Sequence, residues 1–101
     1  MPKKKRLHYQ TGTTPEGKSV ISGVYKLYET IGLPLDVIFT CFRERNWIPD
    51  WIDFYLGAVS SGMEHTRILG KLEEAISDSF GKELADVVIS RLYNLYHKDL
   101  P

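Results

Sequence analysis

Few side chains in this sequence have the spacing that a catalytic or metal-binding site requires. The first pair to consider is Glu83 and Asp86. They form an E-x-x-D pattern within residues 82–89, KELADVVI. On a helix, residues three apart lie one turn apart on the same face. Both carboxylates could therefore bind Mg²⁺, which takes oxygen ligands. The same pair also fits an ordinary solvated helix face, so the spacing leaves both alternatives open.

The pattern around Glu83 and Asp86 resembles the metal-binding helix of the all-α nucleoside triphosphate pyrophosphohydrolases. That family also carries an E-x-x-E pair on the preceding helix. Here the nearest acids are Glu73, Glu74 and Asp78, at a different spacing and a short link away. The resemblance implies a Mg²⁺-dependent nucleotide hydrolase. Because the second acidic pair is missing, we instead predict a non-catalytic protein with no metal site and no cofactor.

Other catalytic arrangements do not follow from the sequence. His8, His65 and His97 are scattered, with no metal-ligand spacing and no Ser/His/Asp or Cys/His arrangement. The single Cys41 excludes an internal disulfide and a multi-cysteine metal site, and it is predicted to be a small core residue. One cysteine also fits a reducing compartment. No glycine-rich phosphate loop is present.

Positive charge is concentrated in a run of four basic residues near the N-terminus, which are Lys3, Lys4, Lys5 and Arg6. Removing these four from the 13 basic residues leaves 9 against 13 acidic ones, so residues 7–101 carry a net charge of about −4. Clustered cations release counterions from nucleic acid and bind it without sequence preference. His8 and Tyr9, which follow the run, could stack on a base.

Two other roles remain open for this basic run. It has the composition of a nuclear localisation signal, and it could also be a solvated terminus that only improves solubility. A recognition helix that reads a DNA groove is not expected, because acids occupy the later helices. Asp50 and Asp53 begin the third predicted helix, and Glu73, Glu74 and Asp78 lie on the fourth.

Four aromatic residues are candidates for contact with a partner, namely Trp47, Trp51, Phe54 and Tyr55. Aromatic side chains are enriched at interface hot spots because they bury a large area at a low entropic cost. They are equally ordinary core residues. A surface for another protein or for a second copy is therefore one alternative, and a buried aromatic core is the other.

Composition predicts one globular domain. Of the 101 residues, 43% are apolar and 26% are charged, which is typical of a folded chain. The basic N-terminus is not followed by the apolar run of a signal peptide. No apolar segment approaches the roughly 20 residues that span a bilayer. We therefore expect a cytoplasmic protein without membrane contact.

Turn residues and apolar periodicity divide the chain into a flexible basic arm, residues 1–17, and a single helical domain, residues 18–101. The first helix is predicted from about Lys18 to Ile31, with Gly32 as its C-cap. Pro34 and Pro49 open the second and third helices, and Ser61-Gly62 closes the third. Two further helices are predicted at about 66–79 and 82–97. Gly70 suggests a close helix crossing.

The two helices between Gly32 and Gly62 are unusually apolar. At about 100° per residue, their apolar side chains cover roughly 200° of arc, whereas a helix on a core surface shows a narrower stripe. They should form the buried centre or meet a partner as well as the core. Residues 37–42 are β-branched and aromatic enough for a strand, but Pro34, Asp36 and Arg43 favour a helix. The predicted fold is an all-α compact bundle of about five short helices with a disordered basic N-terminal arm.

One further likeness concerns residues 26–36, KLYETIGLPLD. This stretch resembles the helical segment that follows the aminoacylation core in alanyl-tRNA synthetases, and the likeness extends loosely to about Phe54. It implies an RNA-contacting role but not aminoacylation, since the catalytic motifs of those enzymes are absent. A helix–Gly-x-Pro–helix junction can also recur for structural reasons alone.

Together these patterns predict a non-catalytic helical interaction module that binds another macromolecule. The partner is an unidentified protein or a second copy, bound around Trp47 to Tyr55. The alternative is a small nucleic-acid-binding protein that uses Lys3–Arg6. A Mg²⁺-dependent nucleotide hydrolase comes third.

Overall fold

The computed structural model describes residues 9–98, and the side chains of that range up to Tyr96. Within this range the chain is mostly helical, with five helices and a small three-stranded sheet. The elements are β1 (Gln10–Thr13), β2 (Ser19–Ile21), α1 (Val24–Ile31), α2 (Leu35–Glu44), β3 (Trp47–Pro49), α3 (Trp51–Ser60), α4 (His65–Ser79) and α5 (Lys82–Lys98). The predicted helical architecture is confirmed, whereas the absence of strands was a wrong prediction. No described helix combines the length and apolar composition needed to cross a membrane.

The sheet joins the beginning of the chain to its middle, in the strand order β1-β2-β3. β1 and β2 form an antiparallel hairpin, closed by hydrogen bonds from Thr14 N–H to the Lys18 carbonyl (2.8 Å) and from Gly17 N–H to the Thr14 carbonyl (2.9 Å). β3 pairs with β2 in parallel, and Ile21 lies opposite Pro49.

The hairpin corrects two predictions. A flexible arm over residues 1–17 is wrong for residues 10–17, which form β1 and the turn, while residues 1–8 lie outside the described range. A first helix starting near Lys18 or Ser19 is also wrong, because Ser19–Ile21 pairs with strands on both sides and the helix starts at Val24.

The remaining helices begin within two residues of their predicted starts. Gly32 adopts the left-handed conformation (φ 79°) and donates its N–H to the Tyr28 carbonyl, so the predicted C-cap is confirmed. Residues 37–42 are helical, which rejects the strand alternative. Pro49 is the last residue of β3 rather than the first turn of α3, and Asp50 caps that helix by accepting a hydrogen bond from Asp53 N–H (3.2 Å).

The core lies where α2, α3, α4 and α5 meet. Phe39 of α2 is fully buried, and its ring contacts the edge or face of three others: Trp51 at 5.3 Å, Phe54 at 6.3 Å and Phe80 at 6.4 Å between centroids. α2 therefore contributes to the core, but it exposes Val37 and Cys41, so its predicted wide arc is buried on one side only. α3 buries only one side, and part of its arc faces solvent.

Three small residues complete the comparison with the sequence. A Cβ at Gly57 would lie 3.1 Å from Tyr25 Cβ, so the close helix approach is between α1 and α3. Gly70 has no atom within 4 Å of such a Cβ, and the close crossing predicted there is wrong. Cys41 is exposed rather than in the core, because α2 turns Ile38, Phe39 and Phe42 inward instead.

Candidate functional site

Three of the four aromatic residues predicted to bind a partner are covered by the protein itself. Trp51, Phe54 and Tyr55 are buried, and Trp47 is half-buried with its ring edge-on to Phe42 at 5.4 Å. Trp51, Phe54 and Tyr55 lie on one side of α3, and this side packs against the core. The structure therefore favours the core alternative for these three, and a partner can reach only Trp47 of the four directly.

The opposite side of α3 carries the apolar residues that a partner could reach. Ile52, Leu56 and Val59 are spaced i, i+4 and i+7, so they share one side of the helix. Their exposed fractions are 39%, 54% and 44%. We call this set the outer α3 face. Sequence analysis missed its members individually, although the wide apolar arc of the helix was the signal that could have found them.

A cleft of about 780 Å³ adjoins this face. The hairpin forms one wall, α5 forms the other, and Trp51, Phe80 and Val88 contribute apolar side chains. Ile52 of the outer α3 face and the exposed Val87 of α5 both line the cleft. Apolar surface is thus continuous from the cleft to the outer α3 face, and the volume lies in the range of ordinary ligand pockets.

The charge of the cleft differs from that of the rest of the protein. Lys18, Arg43 and Arg91 line it, against the acids Glu16 and Asp50. Residues 9–98 contain 9 Lys or Arg and 12 Asp or Glu, so outside the cleft 6 basic residues face 10 acidic ones. The cleft is therefore a relatively basic surface on an acidic body.

The carboxylate of Asp50 is already engaged in holding the fold. It accepts hydrogen bonds from Thr11 Oγ1 (3.0 Å) and from Asp53 N–H (3.2 Å), which connects β1 to the start of α3. Asp50 therefore both caps the positive end of α3 and attaches the hairpin to that helix. The cations of the cleft remain available to an acidic group.

A second cavity, of about 420 Å³, lies between α1 and the hairpin. Tyr9, Phe42 and Trp47 contribute rings to it, and Lys26 is the charged residue among those of residues 9–98 that line it. The predicted nucleic-acid-binding residues Lys3, Lys4, Lys5 and Arg6 lie outside the described residues. Tyr9, three positions after Arg6, is where the described chain begins and lines this cavity.

The acidic pair that suggested a magnesium site is exposed on α5. Glu83 and Asp86 both face solvent, and Asp86 forms an ion pair of 3.4 Å with Lys82. Among the described residues, no group of three or more His, Cys, Asp or Glu side chains could hold a metal ion. The nucleotide hydrolase remains a prediction from the sequence resemblance alone.

His65 has a structural environment that the sequence did not indicate. Its Nδ1 lies 2.8 Å from the Tyr55 hydroxyl, and its ring stacks on Tyr96 with 3.7 Å between centroids. The start of α4 is thereby connected to both α3 and α5. We assign His65 to the fold rather than to a site.

Comparison with known proteins adds no relative. No protein-family model matches the chain, and no significant match occurs among curated proteins or among solved structures. The similarity of residues 26–36 to alanyl-tRNA synthetases stays a prediction, and that segment forms most of α1, its cap and the start of α2. Any function must therefore be proposed from the surfaces described above.

Proposed function

We propose that this chain is a non-catalytic interaction module that binds another protein through the outer α3 face and the adjoining cleft. The observation that carries the proposal is the exposure of Ile52, Leu56 and Val59 on a helix whose other side is fully packed. Exposed apolar residues are common singly, but adjacent ones beside a cleft mark interaction sites.

Covering this face would stabilise a complex appreciably. Full burial of one Val, Leu or Ile side chain contributes about 1.5–3 kcal/mol, so covering the exposed fractions of Ile52, Leu56 and Val59 contributes about 3 kcal/mol in total. That amount corresponds to more than a hundredfold in affinity. The three residues would therefore act as the apolar centre of an interface, and the polar rim would come from the cleft.

The cations of the cleft indicate the chemistry of the partner. Lys18, Arg43 and Arg91 lie beside the apolar surface, while the rest of the body is acidic. A partner segment with apolar side chains flanked by Asp or Glu complements both properties, and such complementarity increases association rates and selectivity. If the partner is a second copy of the chain, the acidic residues that contact the cleft must come from outside the cleft of that copy.

The experiment is site-specific crosslinking in the cells that express the protein. A photoreactive residue at position 56 should capture a defined protein, and Val59→Glu on the same chain should abolish the product. The matched control is position 37, where Val37 is exposed at 40% on α2. Identical products from positions 56 and 37, or no product from either, would reject the proposal. A product of twice the chain mass would identify the partner as a second copy.

A second candidate function is nucleic-acid binding through the N-terminal arm. Lys3, Lys4, Lys5 and Arg6 precede Tyr9, and Tyr9 lies on a cavity whose described lining residues include no carboxylate. The Asp53 carboxylate lies next to this cavity, where it accepts a hydrogen bond of 2.8 Å from the N–H of the lining residue Gly23 and is thus engaged in the fold. Four phosphate contacts on a single strand predict a slope of about −3 in log K against log salt concentration.

Replacing the four arm cations by Gln tests this candidate. We expect the variant to lose binding to a single-stranded oligonucleotide and to lose the salt dependence with it. The control replaces three cations of the body, Arg67, Lys71 and Lys82, which should change both quantities little. Equal loss in the two variants, or no binding by the unmodified chain at low salt, would reject the arm as a nucleic-acid-binding element.

A further inference from the structure

The cavity between α1 and the hairpin is lined mainly by apolar and aromatic side chains. We call it the aromatic groove and define it by Tyr9, Leu27, Phe42 and Trp47, with Lys26 at its edge. Tyr9 is exposed at 59%, and Leu27 at 37%. The groove is distinct from the cleft beside α3, because the two cavities have no lining residue in common.

Tyr9 is held at the groove by its own backbone. Its carbonyl accepts hydrogen bonds from the N–H of Ser22 (2.8 Å) and from the Ser22 hydroxyl (3.1 Å). The ring lies over Gly23, where a Cβ would come within 3.7 Å of Tyr9 Cδ1. An exposed aromatic ring is thus positioned by the end of β2 and by the glycine that begins α1.

Trp47 also lines the groove, and its ring is fixed by its neighbours. Its ring packs edge-on against Phe42, with an interplanar angle of 86° and 5.4 Å between centroids. The guanidinium carbon of Arg45 lies 5.8 Å from the ring centroid, within range of a cation–π interaction. An indole with one cation nearby and a half-buried body offers a rigid surface for a flat ring.

The charges around the groove select an anionic occupant. Lys26 lines it, Arg45 lies outside the lining and over the Trp47 ring, and the described lining residues include no Asp or Glu. The Asp53 carboxylate lies next to the groove, bound to the N–H of Gly23. The body as a whole is acidic, so this composition differs from the average surface. Proteins that bind single strands combine aromatic stacking surfaces with cations that follow the phosphates.

We propose that the aromatic groove binds a base of a single-stranded nucleic acid, stacked on Tyr9 and Trp47, with Lys26 and Arg45 contacting the adjacent phosphates. This inference rests on the second candidate function, and it adds a site on the folded domain to the arm. Recognition is by the face of the base, so little sequence preference is expected. A duplex should bind more weakly through this site, because its bases are already stacked.

The experiment follows tryptophan emission during titration of the full chain with a 20-mer of thymidine at low salt. Trp51 is buried and lines the cleft beside α3, whereas Trp47 lines the groove, so quenching by an oligonucleotide in the groove should come from Trp47. Trp47→Phe should remove the quenching. Tyr9→Ala should weaken binding about tenfold, the effect expected for losing one stacked base. Tyr9→Phe should restore binding, because stacking needs the ring and not the hydroxyl.

A matched control is Tyr93→Ala, which removes an exposed tyrosine from α5, outside the groove lining. Binding without tryptophan quenching, and with equal affinity for Tyr9→Ala and Tyr93→Ala, would overturn the groove site while leaving the arm as the nucleic-acid contact. Quenching by poly-glutamate but not by the oligonucleotide would also overturn it, in favour of an acidic peptide. No oligonucleotide binding at all would reject the second candidate function together with the groove. Circular dichroism of each variant confirms that it is folded.

Discussion

The carboxylate of Asp53 accepts a hydrogen bond of 2.8 Å from the backbone N–H of Gly23. This bond connects the first turn of α3 to the residue that begins α1. Gly23 has no side chain with which to cap α1, and its φ of 79° places it in the left-handed region. Asp53 therefore satisfies a backbone donor at the start of a helix from a different part of the chain.

We predict that Asp53→Ala lowers the free energy of unfolding by about 1–2 kcal/mol, because it leaves the Gly23 N–H without its acceptor and removes an acid from the first turn of α3. Urea denaturation measures the change. Asp36→Ala is the control, since Asp36 is an exposed acid in the first turn of α2. Equal losses in the two variants would show that only the helix-dipole interaction matters.

Two glycines within helices should respond oppositely to alanine. Gly70→Ala should raise the free energy of unfolding by about 0.5–1 kcal/mol, because alanine favours a helix and the added Cβ meets nothing within 4 Å. Gly57→Ala should lower it by about 1 kcal/mol, since its Cβ would lie 3.1 Å from Tyr25 Cβ and force α1 and α3 apart.

Thermal and urea unfolding of both glycine variants check this pair. Tyr25 has little freedom to move away, because its hydroxyl is 2.7 Å from Ser61 Oγ and its ring packs edge-on against Phe54. If Gly57→Ala is as stabilising as Gly70→Ala, the close approach of α1 and α3 is wrong.

Asn46 is the non-glycine residue with positive φ (62°) among residues 9–98. It lies between α2 and β3, and its side-chain amide donates to the Gly17 carbonyl at 3.3 Å. Asn46→Ala should lower the free energy of unfolding by about 1–2 kcal/mol, because alanine is strained at a positive φ and cannot donate the side-chain hydrogen bond. Asn46→Gly should lose less, since glycine adopts this φ without strain. The reverse order would contradict the turn geometry.

Substituting an apolar residue of the core should lower the free energy of unfolding far more than substituting an apolar residue of the surface. Phe39→Ala should lower the free energy of unfolding by about 3–5 kcal/mol, because it leaves a cavity among Trp51, Phe54 and Phe80. Leu56→Ser should change it by less than about 0.5 kcal/mol. Chemical denaturation distinguishes the two. A large loss for Leu56→Ser would mean that the outer α3 face supports the fold rather than contacts a partner.

Local chemistry explains which parts of the fold were predictable. Gly32 ends α1, Pro34 precedes α2, and Gly81 separates α4 from α5, and each acts through backbone preferences that neighbouring residues set. Amphipathic spacing then identified all five helices, with errors mainly at the first. Signals of this kind depend on a few adjacent residues, which is why they can be read without the tertiary structure.

The sheet could not be predicted in the same way. β2 and β3 have three residues each, and neither alternates clearly between apolar and polar side chains. They are strands because Ser19–Ile21 and Trp47–Pro49 pair in parallel, although α1 and α2 separate them in the chain. A pairing between distant segments overrode the local preference that extended the first helix back to Lys18.

The amino-acid sequence by itself determined that the chain is mostly helical, that its basic residues cluster before an acidic body, and that the segments of α2 and α3 are rich in apolar side chains. Only the tertiary structure decided which apolar residues face solvent. It buried Trp51, Phe54 and Tyr55, exposed Ile52, Leu56 and Val59, and placed Tyr9 and Trp47 on the same cavity. The reason is geometric, since a wide apolar arc has no inner side until its neighbours are packed against it.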